Sequence, residues 1–271
     1  MRMAQIHPTA LVDKTVELGE GVTVGPYSII QGRVQIGRDT RIGSHVVIKD
    51  FTTIGNKCVI FQFAVIGEIP QDLKFQGEET QLIVGDGNII REFATLHRGT
   101  AGGGGVTRIG HGNLFMAYTH VAHDCQVGNG VIMSNAATLG GHIILEDYVI
   151  LGGLSAVHQF CHIGCHAFVG GCSAVHRDVP PYAMAVGNWS KLVGLNLVGL
   201  KRHGFTDSSL QPLKRAYELL FLSELNQKEA ITRIKNDLPP TPEIQRLLTF
   251  LETSERGLLP SDVREHRLNR G

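Results

Sequence analysis

Thirteen histidines and five cysteines are the residues of this chain best suited to chemistry near neutral pH. Two groupings stand out among them. His158, Cys161, His162, Cys165 and His166 follow one another at alternating steps of three and one residues, with like residues four apart, which a helix would gather on one face as a metal site. His123 is followed directly by Asp124. An imidazole with a pKa near ~6.5 suits general-base work, and a neighbouring carboxylate can fix its tautomer and steady its protonated form. There is no Gly-x-Ser-x-Gly elbow and no phosphate-cradling glycine loop. The chemistry to expect is direct transfer, with a base activating an incoming hydroxyl or amine and no covalent enzyme intermediate.

The elements that carry these side chains decide between the two groupings. An aliphatic residue recurs at every sixth position from Ile6 to Ile66, returns at Val84, Ile90 and Leu96, and then runs one residue out of phase from Ile109 to Val175. Of these 26 units only Phe115 and Met133 lack Ile, Val or Leu at the first position. A six-residue period fits neither a helix nor a hairpin sheet. It predicts a triangular solenoid in which each unit is a short strand plus a corner, three units make a coil, and coils stack at ~4.8 Å. The first and fifth residues point inward, and glycine at the second position is expected to permit the corner, where a positive φ can be required.

In this register His158, His162 and His166 occupy the second, sixth and fourth positions and point in different directions. Cys58, Cys125 and Cys161 all fall at the fifth position as small core residues. The reading therefore expects no metal site and no nucleophilic cysteine. Units one coil apart share a face, so those beginning at 121, 139, 157 and 175 stack. They carry His123, His142, His158 and His176, with His97 from the unit at 96 beneath them, in a predicted row of outward imidazoles each ~5 Å from the next.

Residues 68–82 and the glycine-rich stretch 100–107 interrupt the repeat and are predicted to be loops thrown out from the prism, where function tends to sit. After Val179-Pro180-Pro181 the repeat ends. Domains are expected at 1–190, an all-β parallel β-helix, and 191–271, a helical unit with helices near 208–223, 227–237 and 242–254, where Asn226-x-x-Glu229 reads as a capping box and Thr241-Pro242 as an N-cap with Pro at the first helical position. Charge is balanced at 25 basic and 25 acidic residues, so nothing global points to nucleic acid. Residues 190–271 are mildly basic, with 13 Lys/Arg against 10 Asp/Glu, which suits an acidic partner. With no leader-like start, no apolar run long enough to span a membrane, and an odd cysteine count without framework spacing, a reducing cytoplasmic setting is expected.

Several segments are familiar. Ile66-Gly67-Glu68, Pro70 to Lys74, Leu96 to Thr100, His120 to Cys125, Ala156 to Phe160 and Gly199 to Arg202 closely resemble the acyl carrier protein–UDP-N-acetylglucosamine O-acyltransferases, in order and almost end to end. The resemblance implies a left-handed helix, a homotrimer with active sites between neighbours, and the first step of lipid A biosynthesis. In it an (R)-3-hydroxyacyl chain passes from acyl carrier protein to the sugar 3-hydroxyl of UDP-N-acetylglucosamine. It implies His123 as general base, Asp124 as its orienting group and the Gly141 N–H as oxyanion donor. His142 and His158 would line the cleft, while Asp72, Lys74 and His120, with His97 and Gln159, would hold the sugar nucleotide. Asn196 and Arg202 would reach the uridine diphosphate, and Gly171 would leave room for the acyl chain. No cofactor is implied beyond the phosphopantetheine arm of the carrier protein. The chain departs from the pattern at Trp189 and Val198, where His and Glu are common, and at His203, where a second Arg often follows Arg202. The alternatives are N-acylation of a 3-amino sugar, the sister N-acyltransferase, a coenzyme A-dependent hexapeptide acetyltransferase, a zinc-dependent γ-type carbonic anhydrase, and a solenoid that only binds.

Overall fold

The computed structural model describes residues 2–262; the last residues of the expected 191–271 unit lie outside the described residues. From Gln5 to Val175 the chain passes repeatedly through three parallel sheets, one strand per sheet per coil, so that each strand pairs with the one a full coil away. Thr23–Val24 lies on Arg41–Ile42, which lies on Val59–Ile60, in unbroken register. The phase slip after Leu96 leaves the stacking intact: Leu96 pairs with Val121, Val121 with Leu139, Leu139 with Val157 and Val157 with Val175. The architecture is a left-handed parallel β-helix followed by α-helices, as the repeat and the resemblance predicted.

First-position residues such as Ile30, Ile48, Ile66, Leu96, Val121 and Leu139 are fully buried, as are Cys58, Cys125 and Cys161 at the fifth. Burial pushes the Cys125 thiol up to about 12, so it packs as a small apolar group. The expectation about glycine needs correcting. Positive φ occurs at the fourth position, where the chain tolerates Tyr27, Lys57, Asp124 and His142. Glycine at the second position is needed for closeness instead: a Cβ on Gly25 would stand 2.6 Å from the Gly43 carbonyl carbon of the next coil. Contact between stacked backbones, not the corner dihedral, excludes side chains there.

The first interruption leaves the solenoid after the strand Val65–Glu68 and returns at Gln81–Val84. The second is shorter than predicted. A single 3-10 turn, Ala101–Gly103, is capped by Thr100, and the strand Val106–Ile109 has already begun before residue 107. Beyond Pro181 the sheet runs on past the expected boundary at residue 190. Ala183–Val186 adds to the largest sheet, and Lys191–Leu195 folds back on it antiparallel, the one reversal in that sheet.

Helices α1 (Leu197–Arg202), α2 (Asp207–Tyr217), α3 (Gln227–Asp237) and α4 (Pro242–Thr253) follow, with a π-helical turn over Glu218–Leu222 after α2. The Asn226/Glu229 capping box and the Thr241 cap before Pro242 both form. The α4 helix is clipped to the solenoid through Glu146. Its nearly buried carboxylate accepts from His162 Nε2 at 2.7 Å, from the Cys165 N–H at 2.8 Å and from Arg246 Nε at 3.1 Å. Burial alone would raise the Glu146 pKa, but these donors outweigh it and hold the carboxyl below its ordinary value.

Candidate active site

Hexapeptide register builds the site. Val121 is the inward first residue of its unit and Cys125 the inward fifth, which leaves His123 and Asp124 to turn the corner outward. Asp124 is nonetheless completely sequestered, because the glycine-rich turn closes over it. Its Oδ1 accepts the Thr100 N–H at 2.8 Å, and its Oδ2 accepts the Thr100 hydroxyl at 2.7 Å and His123 Nδ1 at 2.8 Å. The Asp124 N–H donates to the Thr107 hydroxyl. A Cβ on Gly99 would stand 2.8 Å from Asp124 Oδ1, and one on Gly103 would collide with the carboxylate. The glycines are there to let the turn lie flat on this anion.

With Nδ1–H donated to Asp124, the Nε2 lone pair of His123 is the free one. A Cβ on Gly141 would stand 2.5 Å from His123 Cε1 and 2.8 Å from Nε2, so the missing side chain keeps the face of the imidazole open. The N–H groups of Gly140 and His142, on either side, are paired to Val157 and His123 carbonyls, whereas that of Gly141 has no partner among the described residues. It is a free donor beside the open imidazole of His123.

The His142 ring meets His123 edge-on at 5.1 Å and stacks on Phe160 at 4.5 Å. Its Nε2 lies 3.7 Å from Asp124 Oδ2. Burial, against the pull of Asp124 and with the repulsion of His123, holds His142 below the ordinary imidazole range. His97 and His120 form a second edge-on pair at 4.8 Å, and Thr95 Oγ1 is 2.7 Å from His120 Nδ1. Burial, reinforced by the neighbouring imidazoles, lowers His97 to about 4 and lowers His120 in the same direction. Both are neutral donors or acceptors at pH 7.

The single row of imidazoles is therefore not what forms. His97 and His120 face out from the strand, His123 and His142 occupy the corner, and His158 lies beyond them, exposed, with Phe160 taking the place next to His142. The reason is register: second-, third- and fourth-position side chains leave the coil in different directions.

Asp72, on the first loop, is close enough to His142 to act on it electrostatically, and its carboxylate accepts the Lys74 N–H. Lys74 and Gln159 are exposed, and the Gln159 carbonyl lies 3.2 Å from His158 Nδ1. Gly171 is exposed, and a Cβ there would approach the Gly153 carbonyl oxygen to 3.3 Å. Asn196 and Arg202 are elsewhere. They line a groove of about 350 Å³ with Ile150, Phe168, Met184 and Val198, over the largest sheet rather than the one bearing His120–Val121. The Asn196 side chain caps α1 and donates to the His166 carbonyl. Thr100, Thr107 and Phe160 were not singled out from the sequence; the signal available was that the two threonines bracket the glycine run.

Donor atoms of His123, Asp124 and His142 lie within 4.8 Å of one another, the spacing of a metal cage. Two imidazoles and a carboxylate would suit zinc. Here the carboxylate already accepts three hydrogen bonds, two from Thr100 and one from the inner nitrogen of His123, which fixes it against a single imidazole.

Comparison with known proteins agrees with that chemistry. The model of UDP-N-acetylglucosamine O-acyltransferase domain 2 matches residues 178–259, and that of the six-repeat bacterial transferase hexapeptide matches residues 15–50. A relative from Myxococcus xanthus, an acyl-[acyl-carrier-protein]–UDP-N-acetylglucosamine O-acyltransferase, is 53% identical over 256 residues, covering 94% of this chain and 99% of its own. The chain belongs to this O-acyltransferase family. The family's enzyme from Anaeromyxobacter dehalogenans is 49% identical over 253 residues, covering 93% and 98% of the two chains. Solved O-acyltransferases from Acinetobacter baumannii and Moraxella catarrhalis superpose with TM-scores of 0.91 and 0.92 at 45% and 44% identity, each covering 94% of this chain and 99% of its own. Like the other members, this chain is an acyltransferase.

Proposed function

We propose that His123 is the general base with which this acyltransferase moves a 3-hydroxyacyl group from acyl carrier protein to the 3-hydroxyl of UDP-N-acetylglucosamine, the opening step of lipid A synthesis. The observation that carries the reading is the buried Asp124 carboxylate, held by Thr100 and bonded to His123 Nδ1, with an open Gly141 beside it. His123 Nε2 takes the hydroxyl proton as the sugar oxygen attacks the thioester carbonyl. The tetrahedral oxyanion lies on the Gly141 N–H. Collapse breaks the carbon–sulfur bond, and the imidazolium returns its proton to the leaving thiolate. Asp124 compensates the charge on the imidazolium throughout.

Neutral His97 and His120, with Asp72 and Lys74 on the loop above them, supply polar groups for the sugar nucleotide. His142, His158 and Gln159 line the path beside them, and Gly171 leaves space for the acyl chain. The Asn196–Arg202 groove lies on a different sheet from His123, so one chain offers two half-sites rather than one whole site. A homotrimer of parallel solenoids would supply both halves at each junction. No helix among the described residues is long and apolar enough to cross a membrane, in keeping with a cytoplasmic enzyme, and the donor's own phosphopantetheine arm is the one prosthetic group required.

Replacing His123 with Ala should lower turnover by ~10²-fold or more while leaving the unfolding transition in place. Wild-type rates in that variant would remove the base from the mechanism. Mass analysis of the product from UDP-N-acetylglucosamine and from its 3-amino analogue shows whether an ester or an amide is the native linkage.

A further inference from the structure

Beyond the acyl-transfer histidines, the same sheet ends in a cluster of which the mechanism above uses only His158. His158, His176, Arg177, Trp189 and Arg256 surround an open cavity of about 400 Å³. His176 follows the last strand of that sheet, Ala174–Val175, and the His158 N–H donates to the Val175 carbonyl directly across from it. The indole of Trp189, two-thirds exposed, meets the His176 ring edge-on at 4.6 Å. Arg256 arrives from the other side, on the segment after α4.

Among the described residues no acid lines this cavity. Of the two carboxylates adjacent in sequence to these arginines, Asp178 is fully buried and occupied, accepting the His162 N–H at 2.8 Å and the Ser254 hydroxyl at 2.7 Å, and Glu255 is exposed and does not line the cavity. Neither Arg177 nor Arg256 has an ion-pair partner among the described residues. One polar atom, Arg256 Nε, is shielded from solvent yet makes no hydrogen bond among the described residues. Shielded donors cost free energy when nothing accepts from them. Two guanidiniums, two imidazoles and an indole face without a counter-charge therefore make a site for an anion, and the forked guanidinium matches a phosphate oxygen pair.

Position selects which phosphate. From the coil of His123 to that of His176 the sheet advances three coils, about 14 Å at parallel-strand spacing. That is roughly the reach of four extended residues of chain, and the two amide units between the thiol and the phosphate of a pantetheine arm are of that order. We propose that this cluster binds the phosphodiester at the root of the acyl donor's arm, anchoring it while the thioester lies at His123. The inference rests on the donor being an arm-borne thioester, as set out above. The exposed Trp189 indole would pack against the branched dimethyl carbon next to the phosphate.

The test compares 3-hydroxyacyl-phosphopantetheine with 3-hydroxyacyl-pantetheine, which lacks only the phosphate, in the wild-type protein, in Arg177→Gln and in Arg177→Gln/Arg256→Gln. Wild-type KM should be about tenfold or more lower for the phosphorylated donor. The double variant should erase that preference by raising the KM of the phosphorylated donor, with kcat for the unphosphorylated one and KM for the nucleotide unchanged. Arg177→Gln, an exposed position that the fold does not rely on, should give a partial loss. Equal damage with both donors, a rise confined to the nucleotide KM, or an unchanged preference would each overturn the proposal. Calorimetric binding of free phosphopantetheine and pantetheine separates this from the reaction itself. Arginine-dependent preference for the phosphorylated arm, in a protein that turns over neither donor, would overturn the assigned reaction and leave the anion site standing; no preference in binding would overturn the site.

Discussion

Asp124 illustrates how much of the chemistry rests on one buried group. A carboxylate with no exposed surface survives because three hydrogen bonds, two from Thr100 and one from the His123 imidazole, compensate it. Asp124→Asn keeps the shape but can place an N–H where the carboxylate accepted, so His123 loses the partner that fixes its tautomer. Turnover measured by initial rates should fall about 10²- to 10⁴-fold with KM for either substrate little changed; a drop of less than threefold would show that orientation comes from elsewhere. His97 makes the complementary case, an imidazole kept neutral by burial. Its folded pKa of about 4 lies below the unfolded value, so the unfolded chain binds the extra proton first. The stability it contributes is complete above ~6.5 and is lost as pH falls from there toward 4, by at most about 3 kcal/mol. Urea midpoints at pH 7 and pH 5 should therefore converge in His97→Gln relative to the wild type. An unaltered difference would assign the acid sensitivity to another group, such as His166, which burial and His203 hold near 4 as well.

At the level of elements, what could be read from sequence is what repeats. Outside the two interruptions the strands from Gln5 to Val175 obey one rule at every sixth residue, and that rule placed Cys58, Cys125 and Cys161 inside and His123 outside. The helix caps at Asn226 and Thr241 were legible for a similar reason, since a cap is a local residue choice. The hairpin of Ala183–Val186 with Lys191–Leu195 has no such period, and its pairing comes from lying against the end of the sheet. The closure of Thr100 and Thr107 over Asp124 depends on how a short turn packs, which spacing does not encode. Hardest of all was the clip between Glu146 and Arg246, 100 residues apart in sequence. Because Arg246 is half exposed, Arg246→Ala should cost only about 1–2 kcal/mol by urea denaturation, with the loss concentrated in helical signal. Helix and solenoid unfolding together with no loss of midpoint would mean that the apolar face of α4, with Leu247 and Phe250 buried, holds the tail unaided.

For the whole molecule the decisive feature is a separation: the His123 corner and the Asn196–Arg202 groove belong to different sheets of one prism. A prism cannot fold its own faces together, so a site that needs both must draw on two copies. In the proposed homotrimer, closed threefold symmetry would do this with a single heterologous contact, each chain giving its histidine corner to one neighbour and its Arg202 groove to the other. The consequence can be measured with two inactive variants, His123→Ala and Arg202→Ala, each low in turnover alone. Unfolded together and refolded at equal ratio, trimers with both kinds of chain contain one junction where an intact His123 faces an intact Arg202. Random assembly makes about a quarter of all junctions intact, so activity should return to roughly that fraction of the wild type. If each chain carried a complete site, every site would hold one lesion or the other, and mixing would restore nothing. Recovery of activity with a mass near three times 29.5 kDa would establish the shared site and its stoichiometry together, while recovery at the mass of a pair would replace the threefold arrangement with a twofold one.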